Sequence, residues 1–169
     1  MSVPPLASIA LGVLVERRPA TSAWAEHVWA ATELLLDAPD LPPWTLLRQE
    51  PGRHVFFAGL GELRLFRTET TNLKHNMEAA APRIWVVLRP IEAAPGMALQ
   101  CVTADPGEAH LYADSGNDLV EPLPMPAPVA EAIAAFIAAH HREEVHHKRK
   151  RDRADPEALA RRPWEMEDE

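Results

Sequence analysis

Apolar residues are nearly continuous from Ile9 to Glu16, which predicts a buried strand ended by Arg17-Arg18-Pro19. A second strand is expected over roughly His27 to Leu36, flanked by Trp24 and Trp29. A helix is its rival, because Ala30, Ala31, Glu33 and Leu34 to Leu36 are good helix formers. Asp37 to Pro43 is a loop under either reading, since its prolines cannot donate to a ladder. Trp44 to Gln49 and His54 to Ala58 read as a hairpin around Glu50-Pro51-Gly52-Arg53, where Pro-Gly is a type II turn signal. Gly59-Leu60-Gly61 is then expected to turn the chain.

The stretch from Glu62 to Arg89 reads as strand, short helix, strand. Leu63 and Leu65 alternate with Arg64 and Arg67, the period of a half-buried strand. Leu73, Met77 and Ala81 recur at helical spacing, with Thr70 or Thr71 as cap. Ile84 to Arg89 is apolar on both faces and rich in β-branched and aromatic residues, as a central strand requires.

A strand follows from Met97 to Thr103. Asp105 at the N-cap, Pro106 at N1 and Glu108 at N3 then supply both halves of a capping box, and Gly116 suits a left-handed C-terminal stop. Leu119 to Glu121 is a short edge strand, and Pro122, Pro124, Pro126 and Pro128 predict an extended polyproline-like connector. From Pro128, the stripe Val129, Ile133, Phe136, Ile137 and His140 predicts an amphipathic helix docked on the sheet. The expected class is α+β: a curved, mostly antiparallel sheet of six or seven strands with two or three helices, its closure into a barrel left open. One domain is expected over residues 7–144, with a charged, flexible tail over 145–169.

Charge changes this picture at the tail. The net charge of −8 argues against general nucleic-acid binding by the whole chain. Residues 1–141 carry 9 basic and 16 acidic side chains, a balance of −7, whereas residues 142–153 carry 6 and 3, a balance of +3. Residues 154–169 carry 2 and 6, a balance of −4. The basic block Lys148, Arg149, Lys150, Arg151 and Arg153 therefore reads as an electrostatic docking arm for an acidic protein partner. A lone cysteine rules out an internal disulfide framework and suits a reducing compartment. The apolar run over residues 3–15 lacks a preceding basic region and is too short to span a bilayer. A cytoplasmic protein without membrane insertion is expected.

Other chemistry is thinner. If the last helix ran on, His140, Glu143, Glu144 and His147 would share one side and offer imidazole and carboxylate to Zn²⁺, Ni²⁺ or Fe²⁺. A polar helix end, with histidine complementing the negative pole of the dipole, is the preferred reading. Cys101 has only His110 nearby in sequence and reads as a small buried hydrophobe. Asp114 and Asp118 lack the ligand series of a calcium loop. Arg64, Arg67, Arg83 and Arg89 form a solvated face or pair with Glu62 and Glu69 in preference to an anion strip. The five tryptophans read as packing residues. No catalytic residue and no cofactor is indicated.

Several islands carry a resemblance. They are Gly12–Pro19, Trp24 and Trp29, Arg67–Thr70, Pro82–Arg89, Val102–Ala109, Asp114–Gly116, Val120–Pro126, and His140-His141 before Lys148–Arg151. In this order they resemble a family of small proteobacterial proteins of unknown function, usually encoded near molybdenum-dependent formate dehydrogenase and its accessory proteins. His146-His147 depart from the aromatic or apolar residues expected before the basic block. The resemblance implies a context and not a mechanism; within it, the first reading is a non-catalytic accessory factor in formate dehydrogenase maturation or expression, with a formate dehydrogenase subunit or accessory protein as the expected partner. The rival readings are a metal- or cofactor-binding protein using the His/Glu cluster, and a hydrolase or redox enzyme using Cys101.

Overall fold

The structure, a computed structural model, describes residues 4–142. Seven strands and three helices lie within these residues. They are β1 (Ala7–Pro19), β2 (His27–Leu35), β3 (Thr45–Glu50), β4 (Arg53–Leu65), α1 (Thr70–Met77), β5 (Arg83–Pro90), β6 (Met97–Thr103), α2 (Pro106–Ser115), β7 (Leu119–Pro124) and α3 (Ala127–His140). The α+β class and the antiparallel pairing match the sequence expectation. The strands divide into two sheets, ordered β2-β1-β4-β3 and β6-β5-β7. β4 comes alongside β6, and β2 alongside β7, but no ladder joins the sheets, so no barrel closes.

The paired glycines of β4 explain part of that geometry. Gly59 does not turn the chain as expected; at φ +122° it forms a bulge opposite Val13, and the strand continues to Leu65. A Cβ on Gly61 would lie 2.2 Å from the Val102 side chain. Glycine there lets β6 of the second sheet pack directly over β4.

The core lies where both sheets meet the helices. Leu11, Val13, Val15, Leu63 and Leu65 of the first sheet pack with Ile84, Val86, Leu88 and Val102 of the second. Leu73 of α1 and Val129, Ile133 and Phe136 of α3 complete it. β5 is the central strand of its sheet, as its two apolar faces require. On the opposite side of the first sheet, Leu14, Val55 and Phe57 form a small second cluster with Leu35 and Ala38.

Three local expectations are corrected. Pro122 and Pro124 belong to β7 instead of a polyproline connector, paired with Trp85 and Arg83. β7 is an edge strand, and an edge has one row of N–H groups to spare. At α2 the Asp105 side chain accepts from the Gly107 N–H at 2.7 Å, but the reciprocal half of the box is absent. The Asp105 N–H instead donates to Thr103 Oγ1 at 3.0 Å. At α1, neither Thr70 nor Thr71 is the cap, because a 3-10 turn, Arg67–Glu69, precedes the helix and Thr70 Oγ1 donates to the Arg67 carbonyl. The tail expected from residue 145 lies outside the described residues. No helix among the described residues is long and apolar enough to cross a membrane.

Candidate functional site

Titratable groups converge where β4 enters α1 and β6 enters α2. Glu69, the N-cap residue of α1, sits beside Asp105 and Glu108 at the start of α2, and α1 is tied there by the Asn72 side chain donating to Asp105 Oδ2 at 3.2 Å. Burial, then the charges of Asp105 and Glu108, push the Glu69 carboxyl up to about 7, against a partial offset from Arg64. Next to this group, a cavity of about 210 Å³ on the seam between the sheets is lined by Arg64 and Cys101 among others. Burial and the charge of Glu108 push the Cys101 thiol up to about 11, with Arg64 and a hydrogen bond to Tyr112 opposing the rise. At neutral pH Cys101 is therefore a thiol, not a nucleophilic thiolate. Burial, followed by the neighbouring Cys101, also raises Tyr112.

This junction can hold a proton near neutral pH. Glu69 binds its proton more tightly in the folded chain than in the unfolded one, where 4.5 is the ordinary value. Its contribution to stability is complete below about pH 4.5 and is lost as pH rises towards 7. Glu69→Gln should therefore be more stable than the parent at pH 8 by about 1–2 kcal/mol, allowing for partial solvent contact. Chemical denaturation at pH 8 and pH 4.5 checks this, because the gap should vanish at the lower pH. Equal stabilities at pH 8 would exclude the strained carboxylate.

A second grouping occupies the other end of the first sheet. Arg17 lies across from Trp29 on β2 and His54 on β4. Its guanidinium carbon is 5.6 Å from the Trp29 ring centre and 5.2 Å from that of Phe56, and its Nε is buried with no hydrogen-bond partner. Trp44 packs edge-on to Trp29 at 5.8 Å and holds φ +63°. On the alternate face of β1, the buried Glu16 carboxylate is held by both Arg18 and Arg53. Desolvation alone would raise Glu16, but these two arginines hold its carboxyl below the usual value.

The residues singled out in sequence are distributed differently. Arg89 makes a bidentate pair with Asp118 at 2.7 and 2.9 Å. Asp118 is thus engaged, and Asp114 lies 3.3 Å from His110. Of the anion strip, Arg64 alone is drawn into the junction, by its charge near Glu69. His140 packs its ring on Phe136 at 4.7 Å between ring centres, and α3 ends there, with His141 already extended. Glu143, Glu144 and His147 lie outside the described residues, as do Lys148, Arg149, Lys150, Arg151 and Arg153. Among the described residues no group of three His, Cys, Asp or Glu side chains could hold a metal ion. Glu69, Asp105 and Glu108 couple electrostatically without forming such a cage. Neither grouping was legible in sequence, because Glu69 and Asp105 meet across separate elements and Arg17 gains its aromatic neighbours from two other strands.

A family model described as a protein of unknown function (DUF3305) matches residues 10–151. No curated protein and no solved structure matches the chain.

Proposed function

We propose that this chain, which belongs to the DUF3305 family, is a non-catalytic accessory factor acting by protein–protein contact in formate dehydrogenase maturation or expression. The observation that supports the contact is the segregation of charge about the end of α3. Residues 1–141 balance at −7 and residues 142–153 at +3, and the boundary falls where α3 ends. His141 Nδ1 sits 3.2 Å from Thr70 Oγ1, so the residue that follows α3 is tied to the start of α1. A basic block attached there offers a local electrostatic contact to an acidic partner and gives the chain no general affinity for polyanions. The formate dehydrogenase setting rests on the family resemblance of the sequence islands.

Replacing Lys148, Arg149, Lys150 and Arg151 with Ser should leave the melting temperature nearly unchanged and weaken capture of a formate dehydrogenase subunit or accessory protein from native extract. Added salt should weaken parent capture in the same direction, since such contacts are screened over roughly 8 Å at physiological ionic strength. A second reading is favoured by the His141–Thr70 contact: the block folds back on domain carboxylates such as Glu69, the residue before Thr70, or Glu121. A melting temperature lower by several degrees, with capture unaffected, decides for the fold-back.

A further inference from the structure

We propose that the groove on the outer face of the three-stranded sheet, walled by Trp85, is the docking site of this chain's own C-terminal segment, with Trp164 seated in it. The groove follows from strand periodicity. Ile84, Val86 and Leu88 of β5 turn into the core, so Arg83 and Trp85 lie on the other face. Pro122 of β7 is the register partner of Trp85 there. α2 adds Pro106, Ala109 and Ala113, whose spacing of three and four places them on one side of the helix. Two adjoining hollows of about 440 and 320 Å³ result, and both are lined by Trp85 and Pro106. The first runs to Ala79 at the end of α1 and the second to Val120 on β7. Their apolar walls are mostly alanine and proline, too small to fill the space, so Trp85 stays only half-buried. Each volume is that of a ligand pocket, and an apolar recess rimmed by polar side chains marks a contact surface.

The chain's own continuation can reach it. His141, the residue after α3, is tied to Thr70 at the start of α1, and the groove opens at the other end of that helix. Eight helical residues are about 12 Å long. Trp164 is 23 residues on from His141, a stretch that can span on the order of 75 Å. Tethering so close raises the effective concentration to roughly millimolar, so a modest contact suffices. Trp164 is also the one Trp, Tyr or Phe beyond residue 142, and an indole is the side chain that gains most from an apolar recess beside a second ring. Charge agrees with this occupant. Of the groove's formally charged lining, Glu78 pairs with Lys74 at 3.9 Å, while Arg83 has no ion pair among the described residues. Glu165 and Glu167 flank Met166 directly after Trp164 and supply carboxylates for it. Seated so, the segment closes the basic block into a loop held at both ends. Trp164 lies beyond residues 10–151 matched by the family model, so the contact is a property of this chain. It does not depend on the block binding a partner.

Indole N–H resonances of the full chain test this, with Trp164 and Trp85 assigned by Trp164→Ala and Trp85→Phe. A soluble paramagnetic chelate should broaden Trp24, which is 96% exposed, and spare Trp164. Trp164→Ala should move the Trp85 resonance and leave that of Trp24 in place. Ala113→Gln, at an exposed helical position, fills the groove and should release Trp164 to the chelate. A synthetic peptide of residues 161–169, added to the full-length Trp164→Ala chain, should restore the Trp85 shift. Its Ser-for-Trp counterpart should bind at least about tenfold more weakly. Broadening of Trp164 equal to that of Trp24 overturns the proposal, as does a Trp85 resonance unmoved in a natively melting Trp164→Ala protein. Protection of Trp164 that is lost on dilution, together with a dimeric mass, seats the segment in a second copy and overturns it as well. Should Trp85→Phe not fold, continued protection of Trp164 in a folded Ala113→Gln chain decides against the groove.

Discussion

Phe136→Ala should lower the free energy of unfolding by about 3 kcal/mol, a large share of the 5–15 kcal/mol typical of a domain. Phe136 is 7% exposed and lies on the stripe Val129, Ile133, Phe136, whose spacing of four and three places all three on one side of α3. That side faces the common core and α1. Truncation removes the ring's transfer free energy and leaves a void that the close-packed core around it cannot easily collapse to fill. It also removes the partner of the His140 ring. Phe136→Leu keeps most of the volume and should cost less than about 1.5 kcal/mol. Urea unfolding of the two variants separates lost packing from lost aromatic contact. A change within error of zero for Phe136→Ala would show that α3 is not docked.

The legibility of α3 contrasts with what the sequence left hidden. α3, α2 and β6 announce themselves through short-range signals: an apolar stripe, an N-cap aspartate with proline at N1, a glycine stop. β2 settled as a strand against its helix formers because Trp29 and Ala31 are needed on the core face beside Arg17 and Val15 of β1. The division into two sheets depends on long-range pairing. Gly59 and Gly61 have the composition of a turn, and only the approach of Val102 shows that one is a bulge and the other a packing contact. Pro122 and Pro124 mislead for a similar reason, since their tolerance follows from β7 being at an edge. Of the tryptophans read as packing residues, Trp29 and Trp44 do pack against the core, while Trp24 stands in solvent. The Glu69 junction and the Arg17 stack are products of topology, with no local motif to mark them.

Asn76→Leu should cost about as much as the loss of Phe136, though it removes no apolar surface. Asn76, on α1, is 4% exposed and unremarked by any pattern in the chain. Its amide nitrogen donates to the Arg83 and Ala104 carbonyls, each at 2.8 Å, and its carbonyl oxygen accepts from the Arg83 N–H at 3.0 Å. One side chain thus satisfies the first residue of β5 and the residue just past β6. A leucine fills similar space but leaves all three backbone groups without partners, at about 1–3 kcal/mol for each one that water cannot reach. A total of about 3 kcal/mol is expected, read from denaturant unfolding. The effect should also reach the junction, because Asn72 on the same helix holds Asp105 and Glu69 begins that helix. Loosening α1 lets water and distance relieve the crowding, so the Glu69 pKa should fall from about 7 towards its ordinary 4.5. Carboxyl-carbon NMR titration of Asn76→Leu measures that fall. A destabilised protein whose Glu69 titrates as before would mean that α1 is held at the junction by Asn72 alone.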